Sequence, residues 1–282
     1  MIRLCAFSDE ADDSLQGQIA ALRRNDITLT ELRSVDGKNV AMFLPQEATE
    51  IRRILNDEGI SVWSVGSPLG KCDISITERE WTEQVKRICE IASTLGTDKV
   101  RAFSFFNAYA KKEQVLDYLN RAALIAKDFG ITLYHENEKE VYGDTYQRVK
   151  ELMENLNGWK FIYDPANFIQ VGERAEDTLQ LAKQCSYYHI KDVVAQSGEV
   201  VPAGEGDGEI DKLLGLIDKD IVLTVEPHLA VFSSFAQIDN SEMKLRYHFE
   251  SNAQAFDAAV NALKNMLEQN GWQGKNGEYR KR

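Results

Sequence analysis

Short runs rich in β-branched and aromatic residues alternate with longer stretches in which apolar residues recur every three or four positions, from the first residues almost to the last. The short runs are IRLCAFS, ITLTELRSV, ISVWSVGSP, KVRAFSFF, ITLYHENE, KFIYDPAN, SYYHIKD and IVLTVEPH, and their composition and length read as eight strands. Between them lie LQGQIAALRRND, PQEATEIRRILNDEG, REWTEQVKRICEIASTLG, KEQVLDYLNRAALIAKDFG, TYQRVKELMENLNG, AEDTLQLAKQC and IDKLLGLIDKD, most with the spacing of amphipathic helices. An eighth helical stretch, AQAFDAAVNALKNMLEQNG, closes the series. Several of these end in glycine (Gly59, Gly96, Gly130, Gly158, Gly271), which tolerates the left-handed backbone found just past a helix end.

Eight strand–helix units in a chain of 282 residues predict an α/β fold, a single (β/α)8 barrel. An open doubly wound sheet alternates in the same way, but the first unit has no Gly-x-Gly-x-x-Gly turn to hold a dinucleotide. The barrel is expected over residues 1–271, and the polar, basic segment 272–282, WQGKNGEYRKR, is expected to be a frayed tail. The stretch 228–251 after the eighth strand is longer than an ordinary strand-to-helix loop and is a candidate lid or interface segment.

A composition of 43% hydrophobic and 28% charged residues suits a soluble globular protein whose core needs no staples. The formal net charge of −12 argues against a nucleic-acid partner, because such affinity comes mainly from Lys and Arg neutralising phosphates. Cys5, Cys72, Cys89 and Cys185 lie far apart, so no zinc knuckle or dithiol motif is suggested and reduced, mostly buried thiols are expected. The N-terminus lacks a basic segment followed by a long apolar one, and no run of ~18 apolar residues occurs. A cytoplasmic protein with a small-molecule partner and no membrane association is expected, and a homodimer is left open.

In such barrels the loops after the strands build the active site. Glu136 and Glu138 end strand five, Asp164 strand six, His189 strand seven and Glu226 strand eight. Strand side chains alternate faces, and the alternation lets Glu136, Asp164, His189 and Glu226 all point into the barrel mouth. Three carboxylates and an imidazole at one point repel one another unless a cation sits among them. The oxygen-rich set suits Mn²⁺, Mg²⁺ or Co²⁺, and the imidazole also admits Zn²⁺. Glu138 is an alternative ligand to Glu136, His135 faces the other side of its strand, and His228 either meets substrate or is exposed. Glu31 and Arg33 share a face at the end of strand two as candidate substrate contacts, with Arg101 and Lys71 as weaker ones. The run AGEGDGEID, with Gly204, Gly206 and Gly208, lacks the Walker pattern and reads as a turn leading into a short helix that carries Asp211.

With these residues in place, the sequence resembles the xylose isomerase-like TIM-barrel superfamily, in its sugar phosphate isomerase/epimerase branch. The matching pieces are HENE, YDPAN, HIKD, GEGDGEID and VEPH, in that order, with TELRSVDGKNV after strand two. The resemblance implies one divalent metal, commonly Mn²⁺, bound by Glu136, Asp164, His189 and Glu226. It also implies that Glu136 and Glu226 exchange a proton next to a substrate carbonyl. Lys191 would then touch a substrate hydroxyl or leaving oxygen, and Asp192 would orient Lys191 or cap the loop. One position departs: some relatives carry a histidine three residues after the strand-six aspartate, where this chain has Asn167, which hydrogen-bonds a hydroxyl but cannot shuttle a proton.

The expected activity is a metal-dependent isomerase or epimerase of a ketose-type carbohydrate. A lyase of the inosose dehydratase kind is the alternative, since its chemistry begins with the same proton abstraction. A non-catalytic sugar-binding protein is a further alternative. The DNA-repair endonucleases of the same superfamily use three zinc ions and many histidines, whereas this chain has four histidines and an acidic balance.

Overall fold

The computed structural model describes residues 1–232 and 244–281. Eight strands, β1 (Ile2–Ala6), β2 (Leu29–Leu32), β3 (Ser61–Val65), β4 (Lys99–Ala102), β5 (Thr132–Glu136), β6 (Lys160–Tyr163), β7 (Tyr187–Ile190) and β8 (Ile221–Val225), pair in sequence order. All of these pairings are parallel, and β8 returns to β1 with Ile2 opposite Ile221, closing the sheet into a (β/α)8 barrel. Closure buries both faces of each strand, which is why β8 is apolar almost throughout and buried along its whole length.

The surrounding helices are α1 (Leu15–Arg24), α2 (Pro45–Asp57), α3 (Glu78–Leu95), α4 (Lys112–Asp128), α5 (Tyr146–Asn155), α6 (Pro165–Gln170), α7 (Ala175–Ala182), α8 (Ile210–Gly215) and α9 (Asn252–Gln269). Helix α3 shows how local sequence sets these elements. Thr77 Oγ1 accepts from the Glu80 N–H and Glu80 Oε2 accepts from the Thr77 N–H, a reciprocal cap that satisfies two otherwise unpaired donors. Trp81, Val85, Ile88, Cys89, Ala92 and Leu95 form its buried stripe, and Gly96 ends it at φ +82°, where a side chain would be strained. The short helix α6 lies inside the segment YDPAN that pattern alone assigns to a strand. It starts because Asp164 accepts the Asn167 N–H and Pro165 takes the first helical position.

The C-terminal segment is not the frayed tail expected from its polarity. Residues Trp272–Lys275 (β9) and Glu278–Lys281 (β10) form an antiparallel hairpin around Asn276 and Gly277, both at positive φ, the Asn-Gly turn that matches strand twist. The stagger of the barrel explains where it docks. Strand β2 pairs only with Cys5 and Ala6 of β1, and β10 takes up the preceding residues, with Ile2 opposite Tyr279 and the Leu4 N–H donating to Gly277 O at 2.7 Å. Trp272 and Tyr279 are buried there.

Of the long segment after β8, residues 233–243 lie outside the described residues, and so does that part of the lid or interface expectation. Leu229 and Phe232 before them are buried, and Leu245 after them bridges to Val200.

Candidate metal centre

Parallel strands deliver their C-terminal residues to one rim, so the side chains that end β5 to β8 meet. Glu136, Asp164, His189 and Glu226 are all buried, and one ligand atom from each lies within 4.8 Å of the others. His189 Nδ1 is 2.7 Å from Glu136 Oε1 and 3.6 Å from Glu226 Oε2. Its Nε2 points the other way, 3.1 Å from Glu31 Oε2. Glu31 also accepts from the Tyr187 and Thr224 hydroxyls, at 3.1 and 3.2 Å.

Three cations hold these carboxylates. Lys191 Nζ lies 3.1 Å from Asp164 Oδ2 and 3.3 Å from Glu226 Oε2. Arg101 Nη1 is 3.2 Å from Glu136 Oε2. Arg33 grips Asp9 through Nε and Nη2 and Glu10 through Nη2, while its Nη1 is 3.5 Å from Glu226 Oε1. Both guanidinium groups lie over Phe7, at 4.4 Å for Arg33 and 4.9 Å for Arg101.

Crowding and burial shift the protonation of the cluster. Burial pushes the Asp164 carboxyl up to about 7 against the pull of Lys191, and Glu226 and Glu136 add to the rise. Burial opposes charge on His189, but Glu136 and Glu31 outweigh it and push the ring up to about 10. Burial also opposes charge on Lys191, and Asp164 and Glu226 overcome it and raise its pKa. Glu226 is held well below the usual carboxylate range, because Lys191, His228, His189 and Arg33 together outweigh its burial.

The residues fit a divalent cation. Glu136 Oε2 and Asp164 Oδ2 are buried oxygens whose contacts among the described residues are ion pairs with Arg101 and Lys191 rather than hydrogen bonds, which leaves them lone-pair capacity for a further cation. Three carboxylates and one imidazole suit hard to borderline divalent ions.

The other residues singled out in the sequence take different places. Glu31 is turned to His189, and Arg33 to Asp9 and Glu10, with Arg33 Nη1 alone left without a hydrogen bond among the described residues. Glu138 stands apart from the four-residue cluster and pairs with Lys71 at 2.7 Å. His135 is buried on the far face of β5, where its Nε2 meets Ser104 Oγ at 2.9 Å. Asn167 Nδ2 donates to Asn137 O, while the Asn137 side chain bonds the backbone of Asp164 at both N and O, so the two asparagines lock the rim between β5 and β6. His228 is buried rather than exposed; its N–H donates to Glu10 at 2.6 Å, its ring stacks on Phe232, and its Nε2 lies 3.7 Å from Glu226 Oε1. His248 is exposed.

Asp192 caps the loop that follows it. Its carboxylate accepts from the N–H groups of Val193, Gly204, Gly206 and Gly208, at 2.9 to 3.1 Å. A Cβ on Gly206 would lie 2.4 Å from Asp192 Oδ1, so the glycines are there to let the backbone close around this side chain. Asp211 lies in the first turn of α8.

Sequence reading overlooked Asp9 and Glu10, which follow β1 and are buried against Arg33. Their position after a strand was the available signal; the acidic run DEADD around them looks like a solvated surface segment.

A family model described as xylose isomerase-like TIM barrel matches residues 19–234. No curated protein sequence matches the chain. Among solved structures, an L-ribulose 3-epimerase is similar at 18% identity with a TM-score of 0.71, covering 96% of each chain. The IOLI protein with a bound zinc atom is similar at 16% identity with a TM-score of 0.71, covering 95% of this chain and 98% of that one. The probable 3-DHS dehydratase AsbF from Bacillus anthracis is similar at 17% identity with a TM-score of 0.70, covering 94% of this chain and 99% of that one. At these identities the likeness is one of fold.

Proposed function

Since the chain belongs to the xylose isomerase-like TIM barrel family, we propose that it is a divalent-metal-dependent isomerase or epimerase of a ketose-type sugar or sugar derivative, acting by proton transfer next to a carbonyl. The observation that carries this reading is the convergence of the buried Glu136, Asp164, His189 and Glu226, with one ligand atom of each within 4.8 Å of the others. Epimerase and dehydratase names among the structural neighbours support a sugar-modifying enzyme.

Glu136, Asp164, His189 and Glu226 would hold the ion, with Mn²⁺ favoured and Mg²⁺, Co²⁺ or Zn²⁺ as alternatives. Such an ion polarises a carbonyl with its neighbouring hydroxyl and stabilises the charge that develops as the adjoining C–H is deprotonated. The chain's own residues handle the proton. Glu226, kept ionised by Lys191, His228, His189 and Arg33, is a carboxylate ready to accept it. Glu136, braced by Arg101, would return it. Lys191, an ammonium 3.3 Å from Glu226, is placed to donate to a substrate oxygen. That same ammonium favours the second reading, a lyase of the inosose dehydratase kind, because a buried N–H donor beside the base assists departure of a β-hydroxyl.

Metal analysis of the purified protein, followed by incubation of ketoses and keto-inositols in deuterated water with and without added Mn²⁺, tests the reading. Metal-dependent incorporation of deuterium next to the carbonyl is expected, with the product distinguishing isomerisation from dehydration. No bound divalent ion and no metal-dependent exchange would overturn it. Sugar binding that survives metal removal, without exchange, would point to a non-catalytic binding protein.

A further inference from the structure

We propose that the site accepts an uncharged polyhydroxy ketone and discriminates against phosphorylated and carboxylated counterparts, an inference that rests on the reading of the cluster as a ketose-processing centre.

Recognition of a phosphate or carboxylate needs a cation or a set of amide N–H groups whose charge is not already spent. Among the described residues the buried cations at the mouth are all engaged. Arg33 faces Asp9 and Glu10, Arg101 faces Glu136, Lys191 faces Asp164 and Glu226, and Lys71 faces Glu138. Carboxylates outnumber these cations there: Asp9, Glu10, Glu31, Glu136, Glu138, Asp164 and Glu226 stand against four permanently charged groups.

An amide nest at this rim is filled from within. Gly204, Gly206 and Gly208 present converging N–H groups of the kind that cradles phosphate, and the Asp192 carboxylate already accepts all three. A phosphate could enter only by expelling a buried carboxylate.

What the wall does leave open is hydrogen-bonding capacity without net charge. Arg33 Nη1 and Arg101 Nε are buried with no hydrogen-bond partner among the described residues. Their guanidinium planes are fixed against Phe7, and Arg101 also lies over Phe103 at 5.0 Å. A donor of this kind satisfies a sugar hydroxyl oxygen, while its paired carboxylate opposes an incoming anion.

The test compares D-fructose with D-fructose 6-phosphate, and a keto-inositol with its phosphate ester, on the Mn²⁺-loaded full chain in deuterated water. Reactions are quenched with EDTA and deuterium is read by mass spectrometry. Uncharged members are expected to exchange with kcat/KM about 100-fold or more above their phosphorylated partners, the scale of discrimination set by buried polar groups left mismatched. Exchange as fast or faster with the phosphate esters overturns this inference and leaves the metal-dependent reading standing. Exchange with no member overturns both. In Glu138→Gln, which removes the carboxylate paired with Lys71, the gap between neutral and phosphorylated ketose is expected to narrow; an unchanged gap overturns the assignment of the selectivity to these ion pairs.

Discussion

Glu31 and His189, 158 residues apart in the chain, meet inside the barrel with the ring Nε2 3.1 Å from the carboxylate Oε2. Two hydroxyls, from Tyr187 and Thr224, hold Glu31 in that pose. The consequence is an imidazole that presents Nδ1 to Glu136 and Glu226 and keeps its second N–H on a carboxylate, the arrangement that orients histidine ligands in metal sites. Glu31→Gln is therefore expected to weaken Mn²⁺ binding by about 10- to 100-fold, measured by titration calorimetry. A substrate contact at Glu31, as its sequence position suggested, would instead raise KM at unchanged metal affinity.

Lys191 lies between Asp164 and Glu226, and its loss leaves both buried carboxylates short of a counter-charge. Lys191→Met is expected to destabilise the metal-free protein by about 3–5 kcal/mol, the cost typical of breaking a buried pair from one side. Divalent metal should recover more stability in the variant than in the wild type, which thermal melts with and without Mn²⁺ will show.

Gly206 can carry no side chain without displacing Asp192 or the Val193 carbonyl, which lie 2.4 and 2.6 Å from where a Cβ would stand. Gly206→Ala is expected to cost about 1–3 kcal/mol in urea denaturation. Asp192→Asn, which keeps the shape and removes the charge, should cost a similar amount through the amide bonds it weakens.

The hairpin β9–β10 anchors through Trp272, which is 4% exposed. Trp272→Ala is expected to lower unfolding free energy by about 3–5 kcal/mol, as for other buried aromatic truncations. A frayed tail would tolerate the change, so equilibrium denaturation separates the two.

Cys72 is half-buried in a cavity of about 330 Å³ that it shares with Met42, Leu69, Arg87 and Ile88, whereas Cys5, Cys89 and Cys185 are buried. Burial, reinforced by the Asp73 carboxylate, pushes its thiol from 9.0 up to about 11. The thiolate is the reactive form and a raised pKa makes it scarce at neutral pH. Iodoacetamide labelling should be slow at pH 7 and climb about tenfold per pH unit past pH 9, where an ordinary thiol levels off. Labelling that saturates near pH 9 would contradict this.

The alternation of strand and helix was legible because each strand is short and β-branched and each helix carries one apolar stripe. The four cluster residues were legible because strand ends in a closed barrel share a rim and strand side chains have a period of two. For Asp192 the two readings, orienting Lys191 or capping the loop, could not be separated in the same way: its partners are the next N–H and three backbone N–H groups 12 to 16 residues on, and a carboxylate that bonds backbone leaves no side-chain pattern. The hairpin hid behind its charges, although Asn276–Gly277 between Trp272 and Tyr279 is a turn signature in its own right. Glu31 was placed on the correct face, but a strand pattern says which face a side chain takes and not whether a histidine or a ligand waits there.

The barrel rim is divided by its own connectivity. The four cluster residues come from the consecutive strands β5 to β8, while Asp9, Glu10, Glu31, Arg33 and Arg101 come from β1, β2 and β4 or the turns that follow them. One contiguous half of the chain thus carries the four residues proposed to hold an ion, and the other carries most of the bracing that surrounds them. Within this division, on the proposed reading, substrate preference has room to be retuned through the first four strand ends while the four-residue cluster stays intact, so the two are open to separate adjustment by substitution in separate stretches of sequence.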